Sequence, residues 1–278
     1  MYPRFLQFGA FVISTYGVLA IVAALCGIAL WSSIARRAGL DAAKIQTAGL
    51  LAVVCVVVGA RLAVVAENWR GFVEAPLLIL TAGTLGLHTG WGSAAIFGAS
   101  LAVIATILYL LRVGVPLVRA LDAAAPAVML AAAILDIGNF AAGSHYGAPT
   151  AVPWGVTYAS RFAARTTGVP LGIALHPVQL YAAIGHFALA AVLIMMLRHG
   201  VQHNQGRPAE VLGTALFADG VFRFVLAPLS GDYADASVLL HVVTPAQAIA
   251  MLMVVLGGAC WLGQCWPGRR SQVAVHHA

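Results

Sequence analysis

Apolar positions along this chain gather into seven long runs, with polar and Arg-bearing segments between them. The runs extend from about Phe11 to Ser33, Ala48 to Ala66, Leu77 to Leu111, Leu121 to Phe140, Pro177 to Leu197, Val211 to Leu226 and Pro245 to Trp266. A helix rises about 1.5 Å per residue, so some 20 apolar residues cross a hydrocarbon core of about 30 Å. Each run therefore predicts a spanning helix, and the third, too long for one crossing, predicts a bent or broken one. The expected fold class is an all-α integral membrane protein with about seven transmembrane helices. One sizeable polar insertion interrupts the pattern. Residues Ala141 to Leu175, rich in Gly, Pro, Thr and Tyr, are expected to form a small outer-face lobe inside a single membrane domain spanning 1–278, too small for an independent core.

Composition supports the same reading. Hydrophobic residues make up 62% and charged residues 9% of 278 positions, with mean hydropathy +0.94; a soluble domain carries about 25% charged residues. The cations then set the orientation. Arg36, Arg37, Lys44, Arg112, Arg119, Arg198, Arg207, Arg269 and Arg270 fall on one side of the runs. Arg4, Arg70, Arg161 and Arg165 fall on the other, with Arg61 and Arg223 inside spans. Positive charge marks the cytoplasmic side, so the amino terminus is expected outside and the carboxyl terminus in the cytoplasm. The first run is followed, not preceded, by its positive charges and has no small-residue cleavage pattern, so it is expected to stay as a span. The net charge of +6 reports topology and contact with anionic lipid, not nucleic acid, since no basic run is interleaved with aromatics. Cys26, Cys55, Cys260 and Cys265 lie in or at the end of apolar runs and lack zinc-ligand spacing, so they read as packing residues, and no metal is expected.

The chemistry is expected where polar residues break the apolar runs. Tyr16 and Gly17 interrupt the first, Gly59 and Arg61 the second, and His88, Thr89, Gly90 and Gly92 the third. Asp136 and Asn139 end the fourth, His176 to Tyr181 opens the fifth, and Asp219 to Phe224 lies in the sixth. An Asp in mid-bilayer costs on the order of 3 kcal/mol on insertion scales unless it is compensated. Either a ligand site compensates it, or Asn139 caps the helix end while Asp136 pairs with an arginine. The expected pair is Asp136 with Arg223.

The ordered set Tyr16-Gly17, Gly59-Ala60-Arg61-Leu62, His88-Thr89-Gly90, Gly138-Asn139-Phe140 with Gly143 and Gly147, Pro153-Trp154, His176-Pro177-Val178-Gln179-Leu180-Tyr181 and Phe222-Arg223 resembles the bacterial prolipoprotein diacylglyceryl transferases. The likeness runs in the family's order over nearly the whole chain, and Gly138 to Trp154 is its most specific part. It implies a transferase of the bacterial cytoplasmic (inner) membrane. Such an enzyme moves diacylglyceryl from phosphatidylglycerol to a lipobox cysteine of a prolipoprotein, without a cofactor. By position, it implies His88 as base or orienter, Arg223 as phosphate clamp, and Tyr16 and Asn139 as hydrogen-bonding residues at the lipid head. Gly138, Gly147, Arg61, His176, Gln179 and Asp136 are the implied substrate-binding positions, with Gly147 permitting close backbone approach.

The departures from the family pattern are charged. Asp136 stands where the family motif has Arg, Ser144 where it has Glu, Asp219 where it has Tyr, Ala227 where it has Glu and Ser230 where it has Arg. Ala182 replaces the Glu after Gln-Leu-Tyr. Two unit charges 4 Å apart interact by about 4 kcal/mol at an effective dielectric of 20, so an acid in place of a cation can reverse a contact with phosphate. Besides a divergent transferase, the sequence is compatible with a paralogue acting on another lipid or acceptor, and with a catalytically silent lipid-binding subunit. A transporter would show a repeated pair of broken helices, which the chain lacks.

Overall fold

The computed structural model describes residues 4–8, 11–74, 93–203, 207–231 and 243–265. Residues Arg4–Phe8 (β1) and Phe11–Ser14 (β2) pair as an antiparallel hairpin. The chain then enters α1 (Thr15–Arg37), α2 (Ala42–Glu67), the short α3 (Trp69–Glu74), α4 (Ser93–Arg112) and α5 (Leu117–Ala142). A segment with β3 (Val156–Thr157), α6 (Arg161–Thr167) and β4 (Ala174–Leu175) leads to α7 (Val178–His203), α8 (Glu210–Leu226) and α9 (Pro245–Cys265). Seven of these helices, α1, α2, α4, α5, α7, α8 and α9, are long and apolar enough to span a membrane. The protein is a multi-pass, all-α membrane protein, as expected.

Local chemistry sets the helix ends. Ser14 Oγ accepts from the Gly17 amide at 3.0 Å, so α1 starts after the hairpin and not at Phe11. Asp41 accepts from the amides of Ala43 and Lys44, which begins α2 six residues before its apolar run. Helix α5 ends at Gly143, whose φ of +80° lets the amides of Gly143 and Ser144 both turn back to the Asn139 carbonyl. Helix α8 is capped from outside its own sequence. The buried carboxylate of Asp122 on α5 accepts from the amides of Ala209 and Leu212, each at 2.8 Å.

Between helices the buried residues are largely alanine. Large side chains such as Leu25, Leu108, Ile184, Val225 and Leu262 point outward, the arrangement expected where lipid is the solvent and small residues mediate helix contact. A Cβ on Gly59 of α2 would lie 2.9 Å from the Cα of Gly98 on α4, so these two helices cross at backbone contact. Trp31 Nε1 donates to the Ala120 carbonyl at 2.9 Å and ties α1 to α5. The segment between α5 and α7 packs on a small cluster of Tyr158, Ala163, Val169 and Leu175. It is stitched to the helix ends: Ala148 donates to the Leu229 carbonyl, Thr167 to Gly143, and Gln179 of α7 to Ser144 and to the Tyr158 hydroxyl.

Candidate active site

A cavity of about 370 Å³ opens among α1, α4, α5, α7 and α8, beneath the segment that joins α5 to α7. Its polar lining comes from Tyr16 on α1, Asp136 and Asn139 on α5, His145 after α5, Gln179 and His186 on α7, Arg223 on α8 and Ser230 beyond it. Ala, Leu, Ile, Val and Phe side chains complete the wall.

At its centre is a chain of four ionisable groups from three helices. His186 Nδ1 lies 2.6 Å from Asp136 Oδ2, and Nε2 lies 3.0 Å from Asp219 Oδ1. Arg223 Nε donates to Asp219 Oδ2 at 2.9 Å, one helical turn along α8, and its Nη2 lies 3.3 Å from His186 Nε2. The His186 and Asp219 side chains are 3% and 2% exposed, whereas those of Asp136 and Arg223 are 19% and 26% exposed. Asp219 lies buried behind the lining, while Asp136, His186 and Arg223 meet the cavity. Ionised carboxylates only accept, so with both ring nitrogens of His186 facing one, the three residues hold two protons among them. Counting the ring as imidazolate, one guanidinium and those two protons balance the ring and the two carboxylates, so the group is formally neutral. Gly185 lets the ring of Phe222 pack beside His186, because a Cβ there would overlap that ring; the two rings meet edge-on with centroids 6.0 Å apart.

The pairing expected between Asp136 and Arg223 is thus corrected. The group that meets Asp136 is His186, and the acid that meets Arg223 is Asp219. Asn139 lines the cavity and its Oδ1 accepts from Ser144 Oγ at 3.0 Å, while its backbone carbonyl ends α5. Gly138 sits where α5 meets α1, with Tyr16 and Leu19 about a methyl's distance away. Gly147 does allow a close backbone approach, but the neighbour is this chain's own His176: a Cβ would fall onto its carbonyl oxygen. His176 packs edge-on against Tyr181, whose hydroxyl accepts from Trp154 Nε1 at 2.6 Å. Arg61 is buried in α2 and is not part of the cavity lining. His88, with Thr89, Gly90 and Gly92, lies outside the described residues.

The family model for prolipoprotein diacylglyceryl transferase matches residues 3–263. The chain belongs to the prolipoprotein diacylglyceryl transferase family. Relatives named phosphatidylglycerol–prolipoprotein diacylglyceryl transferase include one from Parasynechococcus marenigrum (strain WH8102), 31% identical over 97% of this chain and 95% of its own. One from Synechococcus elongatus (strain ATCC 33912 / PCC 7942 / FACHB-805) is 29% identical over 94% and 87%. One from Clostridium tetani (strain Massachusetts / E88) is 27% identical over 87% and 89%.

Most of the departures from the diacylglyceryl transferase pattern gather at the cavity. Asp136, Ala182, Ala227 and Ser230 all line the cavity, and Asp219 lies buried under Arg223. Two cavity histidines escaped the reading of the sequence. His186 breaks an apolar run just as Asp136 does, and that was the signal for it. His145 sits in the polar segment, where a histidine attracts no notice. Its backbone φ of +52° is unusual for a residue with a side chain, the kind of held conformation that clusters at functional sites. Burial is the main influence on its imidazole and lowers its pKa; the nearby Asp136 pulls the other way and Arg223 adds to the lowering.

Proposed function

We propose that this chain transfers the diacylglyceryl group of phosphatidylglycerol to the thiol of a lipobox cysteine in a bacterial cytoplasmic membrane. The amino terminus is outside, and the segment between α5 and α7 lies on the outer face. The observation that carries the reading is a partly exposed guanidinium, Arg223, set in an intramembrane cavity of about 370 Å³ that it shares with Tyr16 and Asn139. In the reaction the cysteine sulfur attacks the glyceryl carbon that carries the phosphate. An S–C bond forms, the C–O bond breaks, the thiol proton passes to a base, and glycerol phosphate leaves with the bonding pair.

Each need has a matching group. Arg223 is oriented by Asp219, so its guanidinium is set to meet the charge that builds on the departing phosphate without reorganising. His145, kept neutral by burial near pH 7, can accept the thiol proton; His88 retains the role of base or orienter that the family resemblance implies. Tyr16 and Asn139 supply hydrogen bonds at the lipid head.

The test is expression in a strain depleted of its own diacylglyceryl transferase, with mass analysis of a reporter lipoprotein. A diacylglyceryl increment on the lipobox cysteine is expected. An unmodified reporter beside a well-expressed, inserted protein would refute the reading and favour a lipid-binding subunit.

A further inference from the structure

The cavity offers hydrogen-bond acceptors that phosphate binding and thiol attack leave unused. Asp136 spends Oδ2 on His186, and among the described residues its other oxygen accepts no hydrogen bond. Gln179, 2% exposed, donates through Nε2 to the Ser144 carbonyl at 2.8 Å; that carbonyl only accepts, which fixes the amide's orientation. Its Oε1 then has no partner among the described residues. A buried acceptor left bare is costly, so the cavity is built for a ligand that brings donors. The single imidazole of His186 separates Asp136 from Arg223, at 2.6 Å on one edge and 3.3 Å on the other. A phosphodiester held by Arg223 therefore places the next few atoms of its head group toward the carboxylate.

We propose that Asp136, with Gln179, reads the far end of the lipid head and selects phosphodiester lipids whose head group donates hydrogen bonds, as a hydroxyl or as an ammonium. This rests on the reading of the cavity as the donor-lipid site. Formal neutrality of the Asp136, His186, Asp219 and Arg223 group gives the selection its force. A head group that brings only negative charge meets as much acid as base there, and gains from Arg223 only what it does not lose to the carboxylates. A head group with a donor engages both ends.

The full chain in detergent micelles, with a fluorescent lipid displaced by four lipids of identical acyl chains, tests this without any variant. Phosphatidylglycerol and phosphatidylmethanol carry the same charge, but only the first has head-group hydroxyls. Phosphatidylethanolamine and phosphatidylcholine are both zwitterions, but only the first has N–H donors. The first member of each pair is expected to bind about tenfold more tightly, the size of one charge-assisted hydrogen bond. Asp136→Asn is expected to shrink both ratios by at least half if it folds. Tighter binding of phosphatidylethanolamine than of phosphatidylglycerol identifies the ammonium as the preferred donor, and the reverse identifies the diol. Equal binding within both pairs, or ratios unchanged in folded Asp136→Asn, would overturn the proposal. Loss of thioether formation with selective binding intact would instead count against the transfer reaction.

Discussion

Replacing His186 with Gln separates the described network from any arrangement in which Asp136 stands alone. The wild-type ring holds two charge-assisted contacts, at 2.6 and 3.0 Å, on a side chain 3% exposed. Hydrogen bonds to charged groups contribute about 1.5–3 kcal/mol each, and breaking a buried ion pair from one side costs about 3–5 kcal/mol. Asp219 keeps Arg223, and Asp136 is open enough to recruit water, so the loss should fall near 3 kcal/mol. Asp136→Asn alone should cost less, about 1–2 kcal/mol, since it leaves His186 its contact with Asp219. The double variant should be less damaging than the two losses added, by about 1 kcal/mol or more, as for groups in direct contact. Asp136→Asn combined with Arg223→Gln should be closer to additive, because His186 and Asp219 stand between them. The assay is unfolding in mixed micelles titrated with sodium dodecyl sulfate, followed by tryptophan fluorescence. Strict additivity of Asp136 with His186, or stronger coupling of Asp136 with Arg223, would refute the network.

Gly147→Ala should destabilise the protein by about 1–3 kcal/mol or prevent folding, since its Cβ has no room beside His176. Gly258→Ala, with nothing within 4 Å, should be neutral or stabilising in the same sodium dodecyl sulfate titration. A cysteine at Ala159 should react with an impermeant thiol reagent in intact spheroplasts and one at Arg207 should not; the opposite pattern would reverse the proposed orientation. Arg223→Gln should lower transfer by about 10²-fold or more if its donors stabilise the departing phosphate, measured by thioether formation on a lipobox peptide. His145 has its pKa lowered in the fold, so as pH falls below the ordinary histidine value of about 6.5 the unfolded chain takes up the proton first and stability drops; above that value the residue contributes nothing. Asn at this position tolerates positive φ, so His145→Asn should flatten that acid limb in unfolding measured between about pH 5 and 7.

The seven spans were legible because a bilayer demands about 20 apolar residues per crossing, whatever the neighbours. Their ends were less so. Phe11–Ser14 is apolar enough to extend the first span, yet it pairs with Arg4–Phe8, a partnership that hydropathy cannot see. Asp41 starts α2 well before the apolar run, because a cap acts through one side-chain oxygen and not through hydropathy. Within the site, Asp219 and Arg223 are four residues apart, so their pairing on one helical face was readable from spacing alone. That Asp136 reaches His186 depends on how α5 packs against α7, and the four charges Arg61, Asp136, Asp219 and Arg223 with one unrecognised histidine admit more than one pairing. The outward cap of α8 by Asp122 belongs to the same class, since its partners are 87 and 90 residues away.

The network also explains how acids can sit in a cavity meant for a phosphate. At an effective dielectric near 20, a guanidinium and a phosphate 4 Å apart attract by about 4 kcal/mol, and in a drier site by more. An isolated arginine between helices would hold the glycerol phosphate product as firmly as the lipid, and strong uniform binding does not speed the chemical step. On the proposed reading, Asp219 offsets part of that attraction while orienting the Arg223 guanidinium, so what remains is most useful where charge builds up, at the breaking C–O bond. The second acid, Asp136, would repel phosphate if it were bare. Tied to His186, it is balanced by the protons the triad holds and keeps one oxygen for a donor. On the proposed reading, position within the network decides what each acid does: the buried Asp219 orients Arg223, and the partly exposed Asp136 is left to face the ligand.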